Sequence, residues 1–351
     1  MAYTTINKSS DYFKAKTYTG NGSNGHAITG VGFQPDMLMM KSRTVAENGN
    51  LYDSVRGAGE RLIYNSDGNQ STKTDCQKSF DSDGFTVDLG AEVNENTQSF
   101  ISWCWKAGTS SGINQDGASI TPTAYSFNQT AGISIIKYTG TGSGATLPHG
   151  LGVTPNLIIV KVLTGGSDNW TWKSDGGISG YSGFTRYMYP NNAAVGVAND
   201  SSNEFQYSPT ATKFSLGTNG GVNGSGRQYV AYCFANKTGY QKIGGYVGTG
   251  NTNGSFIYTG FAPKFFVIHR LDSGDSWVMK DDGRSTFNPN TNNLYWDNAS
   301  TEGGGQDADF VSNGIKYRSS DSAINDTGGV YVYWAIGQSL VGSNNVPCTA
   351  R

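Results

Sequence analysis

Charge, cysteine, proline and histidine are all scarce in this chain, and each scarcity removes a class of protein. Only 15% of the 351 residues are charged, and 25 basic against 27 acidic side chains leave a net charge of −2. Lys and Arg are scattered and never clustered, so nothing tracks a phosphate backbone and nucleic acid is not expected as a partner. No run approaches the roughly 18 apolar residues of a membrane span, and the polar opening MAYTTINKSSDYFKAK lacks the apolar stretch of a secretory signal. Neither membrane insertion nor export is expected. The four cysteines, Cys76, Cys104, Cys233 and Cys348, form no CxxC pair and read as buried or incidental thiols. Nine prolines are too few for a polyproline stalk. His26, His149 and His269 stand at no spacing that suits a metal or a catalytic triad, so no metal, cofactor or catalytic residue is expected.

What the chain has in abundance is glycine, 49 residues, together with 12% aromatics. Glycine supplies the positive φ of tight turns, and aromatics suit half-buried pleated surfaces. Many short strands follow.

Three copies of one pattern organise those strands. Tyr18-Thr19-Gly20-Asn21-Gly22 returns as Tyr138-Thr139-Gly140-Thr141-Gly142 and as Tyr246-Val247-Gly248-Thr249-Gly250. Downstream of each lies a turn, Gly32 to Pro35, Gly152 to Pro155 and Gly260 to Pro263. A short apolar run follows each turn: Met37 to Met40 then Lys41, Leu157 to Val160 then Lys161, Phe265 to Ile268 then His269. Such a run behind a turn predicts a strand buried on both faces. Later in each copy come Val93-Asn94, Val222-Asn223 and Ile324-Asn325, and then a final aromatic strand. Its period of two puts Ile101, Trp103 and Trp105, Val230, Tyr232 and Phe234, and Val332, Trp334 and Ile336 on one face. Cys104 and Cys233 fall on the other face where the third copy has Ala335, a slot for a small apolar side chain.

The expected fold is therefore all-β, three tandem homologous antiparallel β-sandwiches, of the jelly-roll or lectin-like type that the family resemblance given below implies. An N-terminal arm spans residues 1–10 and the repeats span 11–107, 132–239 and 240–341. A Gly-, Ser- and Thr-rich linker at 108–131 and a tail at 342–351 complete the chain. With no such spacer between them, the second and third repeats are expected to pack as a rigid pair.

Few motifs invite chemistry. Glycine clusters such as Gly140 to Gly144 open no helix and carry no P-loop Lys-Ser/Thr. Asp81-Ser82-Asp83-Gly84 resembles the start of a calcium loop, but its Gly stands at the fourth position instead of the sixth; a hairpin turn is the simpler reading. No Asp or Glu recurs in all three copies, which leaves no sign of the paired carboxylates of a glycosidase. Trp170, Trp172 and Trp277 are the one candidate contact set, for glycan or for a protein partner. They follow the buried strand at similar distances, where exposed indoles would stack on sugar rings and buried ones would fill a sandwich.

The repeated Tyr-Thr-Gly-x-Gly, the Gly-x-x-Pro turn with its apolar run and the final aromatic strand together resemble a family of proteins common in marine bacteriophage structural gene clusters. The opening Met1 to Asn7 and the ending Val346 to Arg351 are similar to theirs, so the resemblance covers essentially the whole chain. It implies a concanavalin-like sandwich and a place in the virion or its tail, and it supplies no mechanism. The expectation is a non-enzymatic virion structural protein, tail- or fibre-associated, made in the bacterial host cytoplasm. Its partners would be other virion proteins and copies of itself. Capsid decoration and a module that binds host surface glycans are the alternatives.

Overall fold

The computed structural model describes residues 3–178, 181, 184, 186–193, 198–199 and 204–341. The chain is all-β, built of antiparallel sheets packed face to face. Among the described residues its α-helices are four-residue turns, and none is long and apolar enough to cross a membrane.

Three large sheets share one strand order. In the first, Phe13–Thr19, Ser99–Trp105, Met37–Ser42, Asn50–Asp53 and Glu60–Ile63 lie side by side, with Ser71–Thr72 at the edge. The third repeats this order as Gln241–Val247, Val330–Ser339, Phe261–Arg270, Val278–Asp281 and Leu294–Tyr295. In the second the order is Ile133–Thr139, Gln228–Phe234, Leu157–Thr164, Thr171–Ser174 and Arg186–Met188, and Ala124–Asn128 and Ala198–Asn199 are added at its two edges. The chain's last strand in each unit thus lies between the first strand and the apolar run, as in Trp103 between Ala15 and Met39. A smaller sheet accompanies each large one: His26–Thr29 with Gly84–Val87 and Gln77–Asp81; Ala145–Pro148 with Lys213–Leu216; Phe256–Tyr258 with Gly314–Tyr317 and Ala308–Val311.

The apolar runs are buried on both faces, and the two faces go to different places. Leu38 and Met40 with Cys104, Ile158 and Val160 with Cys233, and Phe266 and Ile268 with Ala335 each face their own small sheet, and so form three separate outer cores. Met37, Met39, Leu157, Ile159, Phe265 and Val267 face the opposite way. With the Ile101/Trp103/Trp105, Val230/Tyr232/Phe234 and Val332/Trp334/Ile336 faces they meet in one core common to all three units. Each unit is therefore a sandwich on its outer side and one wall of a shared interior on its inner side. The period of two reveals both faces of a strand, but not that three inner faces need one another.

The centre of that interior is aromatic. Trp105 stacks on Trp334 with ring centroids 5.6 Å apart, Phe234 lies 4.3 Å from Trp334, and Phe13 and Phe265 close on the same pair. Contacts of this kind contribute about 0.5–1.5 kcal/mol each beyond the burial of their area. The first unit is as deeply engaged as the other two, which departs from the expected rigid pair of repeats two and three. Part of the expected linker is strand as well: Ala124–Asn128 pairs with Ile133–Thr139, and Thr109 bridges to Phe127. The N-terminal arm is held against the third unit. Ile6 is buried in the shared core, Tyr3 donates to the Gly260 carbonyl, and the Ser9 amide donates to Gln338. Met1, Ala2, Cys348 and the tail 342–351 lie outside the described residues.

Candidate functional site

The repeated Tyr-x-Gly-x-Gly segment is explained by one buried asparagine per unit. Asn94, Asn223 and Asn325 end the three short helices and are fully buried. Their Oδ1 atoms accept the amides of Asn21, Thr141 and Thr249 at 3.0, 2.8 and 2.9 Å. Their Nδ2 groups donate to two backbone carbonyls each, Ser23 and Asp88, Ser143 and Gly217, Asn251 and Ser319. The repeated tyrosine completes the clamp, with Tyr18, Tyr138 and Tyr246 donating to the carbonyls of Val93, Val222 and Ile324. A Cβ at Gly20, Gly140 or Gly248 would stand 2.1, 2.4 or 2.2 Å from a backbone carbonyl oxygen, so the first glycine of the motif admits no side chain. The segment is a joint between loops, and no ligand enters its geometry.

The basic residue that ends each apolar run ties one unit to the next. Lys41 is buried and donates to the Asn298 carbonyl of the third unit at 2.9 Å; Lys161 donates to the Asp67 carbonyl of the first at 2.7 Å. Backbone bonds repeat the relation, from Glu302 to the Arg43 carbonyl and from Gln70 to the Leu163 carbonyl. Burial lowers both lysines to a pKa of about 8. In the third unit His269 occupies the position and lies flat on Trp277, with rings 4.1 Å apart and 2° from parallel. Burial holds that imidazole at a pKa of about 3, in its neutral form.

Buried acid–base pairs of the first and third units serve the same interior. Asp53 pairs with Arg56 at 2.5 Å and also accepts the Tyr232 hydroxyl of the second unit at 2.6 Å. Asp281 pairs with Arg284 at 2.6 Å and accepts the Trp103 indole N–H of the first unit at 3.0 Å. The second unit has Ser174 and Gly177 at these places, and Ser174 takes the Trp172 indole N–H. All four charged side chains are sealed from solvent, which suits structure and leaves no approach for a substrate.

Trp170, Trp172 and Trp277 are each 0% exposed, which corrects the expectation that they form a contact platform. Trp172 lies in the strand Thr171–Ser174, Trp170 and Trp277 stand immediately before Thr171–Ser174 and Val278–Asp281, and all three belong to the shared core, where Trp172 packs 5.0 Å from Trp277. The backbone amides of Trp170 and Trp277 are fixed by Asn191 and Asp297, as that of Gly49 is by Asn65. A signal of this was available: the place of Trp172 in the strand is taken by Leu51 and Met279 in the other units, residues that would not be kept for stacking on sugar.

The other motifs resolve into local structure. Asp83 accepts the amides of Gly30 and Gly32, which lower its pKa, and Asp81 accepts the hydroxyls of Ser79 and Thr86. Both carboxylates thus brace a two-residue hairpin turn. His26 bonds to Asn94. His149 is buried, with Nε2 on the Thr210 carbonyl and Nδ1 accepting the Leu151 amide, and burial lowers its pKa to about 4. Cys104 and Cys76 are raised to about 12 by burial, and Cys233 is raised by burial as well; none is an activated thiol. Among the described residues no three His, Cys, Asp or Glu side chains gather where a metal ion would sit.

What the sequence did not disclose is an open cleft of about 460 Å³ on the first unit, walled by Gln34, Asp36, Val55, Lys106, Ser110 and Tyr125. It lies where the added strand Ala124–Asn128 approaches the turn before Met37. No curated protein matches the chain. A family model described as Domain of unknown function (DUF7483) matches residues 8–339, and the chain belongs to that family.

Proposed function

We propose that this protein is a non-enzymatic structural component of a bacteriophage particle, associated with the tail or fibre and held there by contacts with other virion proteins and with copies of itself. The observation that carries the reading is what the three units have in common. The Asn–Tyr clamp recurs in all three, as does the inward aromatic strand, and the buried base between units recurs in two with a stacked imidazole in the third. Every one of these features serves rigidity, and none projects a reactive group into a cleft.

Such a body suits a particle. Three walls around one core resist local opening, because a strand cannot leave without exposing aromatic surface of its neighbours. Weak contacts made by many copies add up through avidity. The proposed location rests on the resemblance to phage structural proteins. Tandem mass spectrometry of purified particles carrying the gene tests it: the protein is expected in fixed ratio to the known tail proteins through a density gradient, and its loss during banding would overturn the assignment.

A further inference from the structure

We propose that the open side of the third unit pairs with an extended polypeptide segment of a partner protein, which adds as a strand to the edge Phe256–Tyr258. Such pairing is a property of the isolated chain, so the proposal stands whether or not the partner is a virion protein.

The three units treat one edge in three ways. Ala27, Thr146 and Phe256 hold equivalent places in the first strands of the small sheets, opposite Thr86, Ser215 and Lys316. In the second unit the chain covers this edge itself. The Ile120 amide donates to the Thr146 carbonyl at 3.0 Å, the Thr146 amide donates to the Ser119 hydroxyl at 2.7 Å, and the Ile120 side chain is buried in the outer core. The same stretch runs on as Ala124–Asn128 along the edge of the large sheet, so one segment closes that side of the sandwich. In the first unit the outward residues of the edge are small, Ala27 and Thr29, and Lys14 and Lys16 stand on the neighbouring edge strand. Charges so placed discourage pairing.

The third unit has no such cover. Only residues 235–240 separate the strand that ends at Phe234 from the one that starts at Gln241, which leaves no linker to fold back. Its guard is also reduced. Lys242 takes the place of Lys14 but is committed to the Tyr258 carbonyl at 2.7 Å, and Gly244 takes the place of Lys16. The outward residues are Phe256 and Tyr258, 48% and 55% exposed. Bonds to the neighbouring strand fall at alternate residues, from the Tyr317 amide to the Ser255 carbonyl and from the Thr259 amide to the Asn313 carbonyl. The Phe256 amide and carbonyl therefore point outward, as those of Thr146 do, and no described residue bonds to them there.

Main-chain groups supply the pairing, and side chains beside the edge choose the segment. Two exposed aromatic rings favour an apolar residue, as Ile120 is in the second unit. At one end of the edge lies a cleft of about 220 Å³ lined by Tyr3, Lys237, Lys242 and Thr259, with no acidic side chain on its walls. The Lys237 ammonium has no hydrogen-bond or ion-pair partner among the described residues, and burial lowers the pKa of both lysines. The partner segment is thus an extended strand with an apolar residue over Phe256 and an acidic one reaching this cleft. Residues 342–351 of the chain carry Pro347 and no acidic side chain, and do not match it.

The test uses the full chain and a fluorescent peptide of residues 117–128, the segment that covers the equivalent edge in the second unit, read by anisotropy. A second peptide carries Asn128→Asp, because Asn128 stands opposite Ile133, the counterpart of Gln241 on the cleft wall. Both are expected to bind, the acidic one about tenfold more tightly, the worth of a charge-assisted hydrogen bond. Bound peptide should slow amide exchange across Ser255–Tyr258. Phe256→Lys should abolish binding, and Lys237→Glu should remove the preference for the acidic peptide, both with unchanged melting temperatures. No binding, protection confined to Ala145–Pro148, or affinity that survives Phe256→Lys would overturn the proposal. So would protection of Phe256 in the chain alone, which deletion of 342–351 would trace to the tail and dilution to a second copy.

Discussion

At the scale of single residues, buried polar side chains decide which loops can exist. Asn223 is itself fully buried and satisfies an amide and two carbonyls, and leaving buried polar groups unpaired costs roughly 1–3 kcal/mol apiece. Asn223→Ala is expected to lower the free energy of unfolding by several times 1 kcal/mol in urea titrations. Asn223→Asp should be no better, because a carboxylate would face the Ser143 and Gly217 carbonyls that now receive the amide. Recovery of stability in the Asp variant would show that only the acceptor matters. Histidine gives a second residue-scale prediction. His149 and His269 are depressed to about 4 and about 3 from an ordinary 6.5, so the unfolded chain binds protons that the folded chain refuses. Stability from this source is complete above pH 6.5 and drains as pH falls toward 4, by up to about 1.4 kcal/mol per pH unit for each imidazole. His269→Phe keeps a ring on Trp277 and should halve the slope between pH 6.5 and 4.5. An unchanged slope would assign the acid sensitivity to other groups.

At the scale of elements, much of the architecture was legible. Tyr18, Tyr138 and Tyr246 marked three first strands, and the runs after Pro35, Pro155 and Pro263 are indeed buried on both faces. Cys104, Cys233 and Ala335 take equivalent places on the outer sides of their own sheets, as a period of two requires. The placement of the tryptophans was legible only in part, through the Leu51 and Met279 that stand at the place of Trp172. A strand pattern separates inside from outside only if a strand has an outside, and Trp170, Trp172 and Trp277 lie on inner faces whose partners are a hundred residues away in sequence. The cleft was hidden for a related reason: Gln34 and Lys106 come near Tyr125 only through the added strand. Element packing also predicts what a core truncation does. Trp334 touches Trp105, Phe234, Phe265 and Trp172, drawn from all three units. Trp334→Ala should cost about 3–5 kcal/mol and loosen all three units together, read as faster amide exchange in the Ser99–Trp105 and Gln228–Phe234 strands as well as its own. Exchange raised only in the third unit would show that the walls are independent.

At the scale of the whole molecule, three units that share one interior should melt as one. Calorimetry is expected to give a single transition whose calorimetric and van't Hoff enthalpies agree, and separate transitions would instead indicate three sandwiches that fold alone. A body whose three units share one interior is what a particle can carry in many copies without losing shape. The most direct test of that role is a cryo-EM map of the particle at side-chain resolution. The account predicts density for the three walls docked on the tail or fibre, with Trp105 and Trp334 stacked inside and the outer sheets touching neighbouring subunits. A complete particle map with no density for this chain would contradict it.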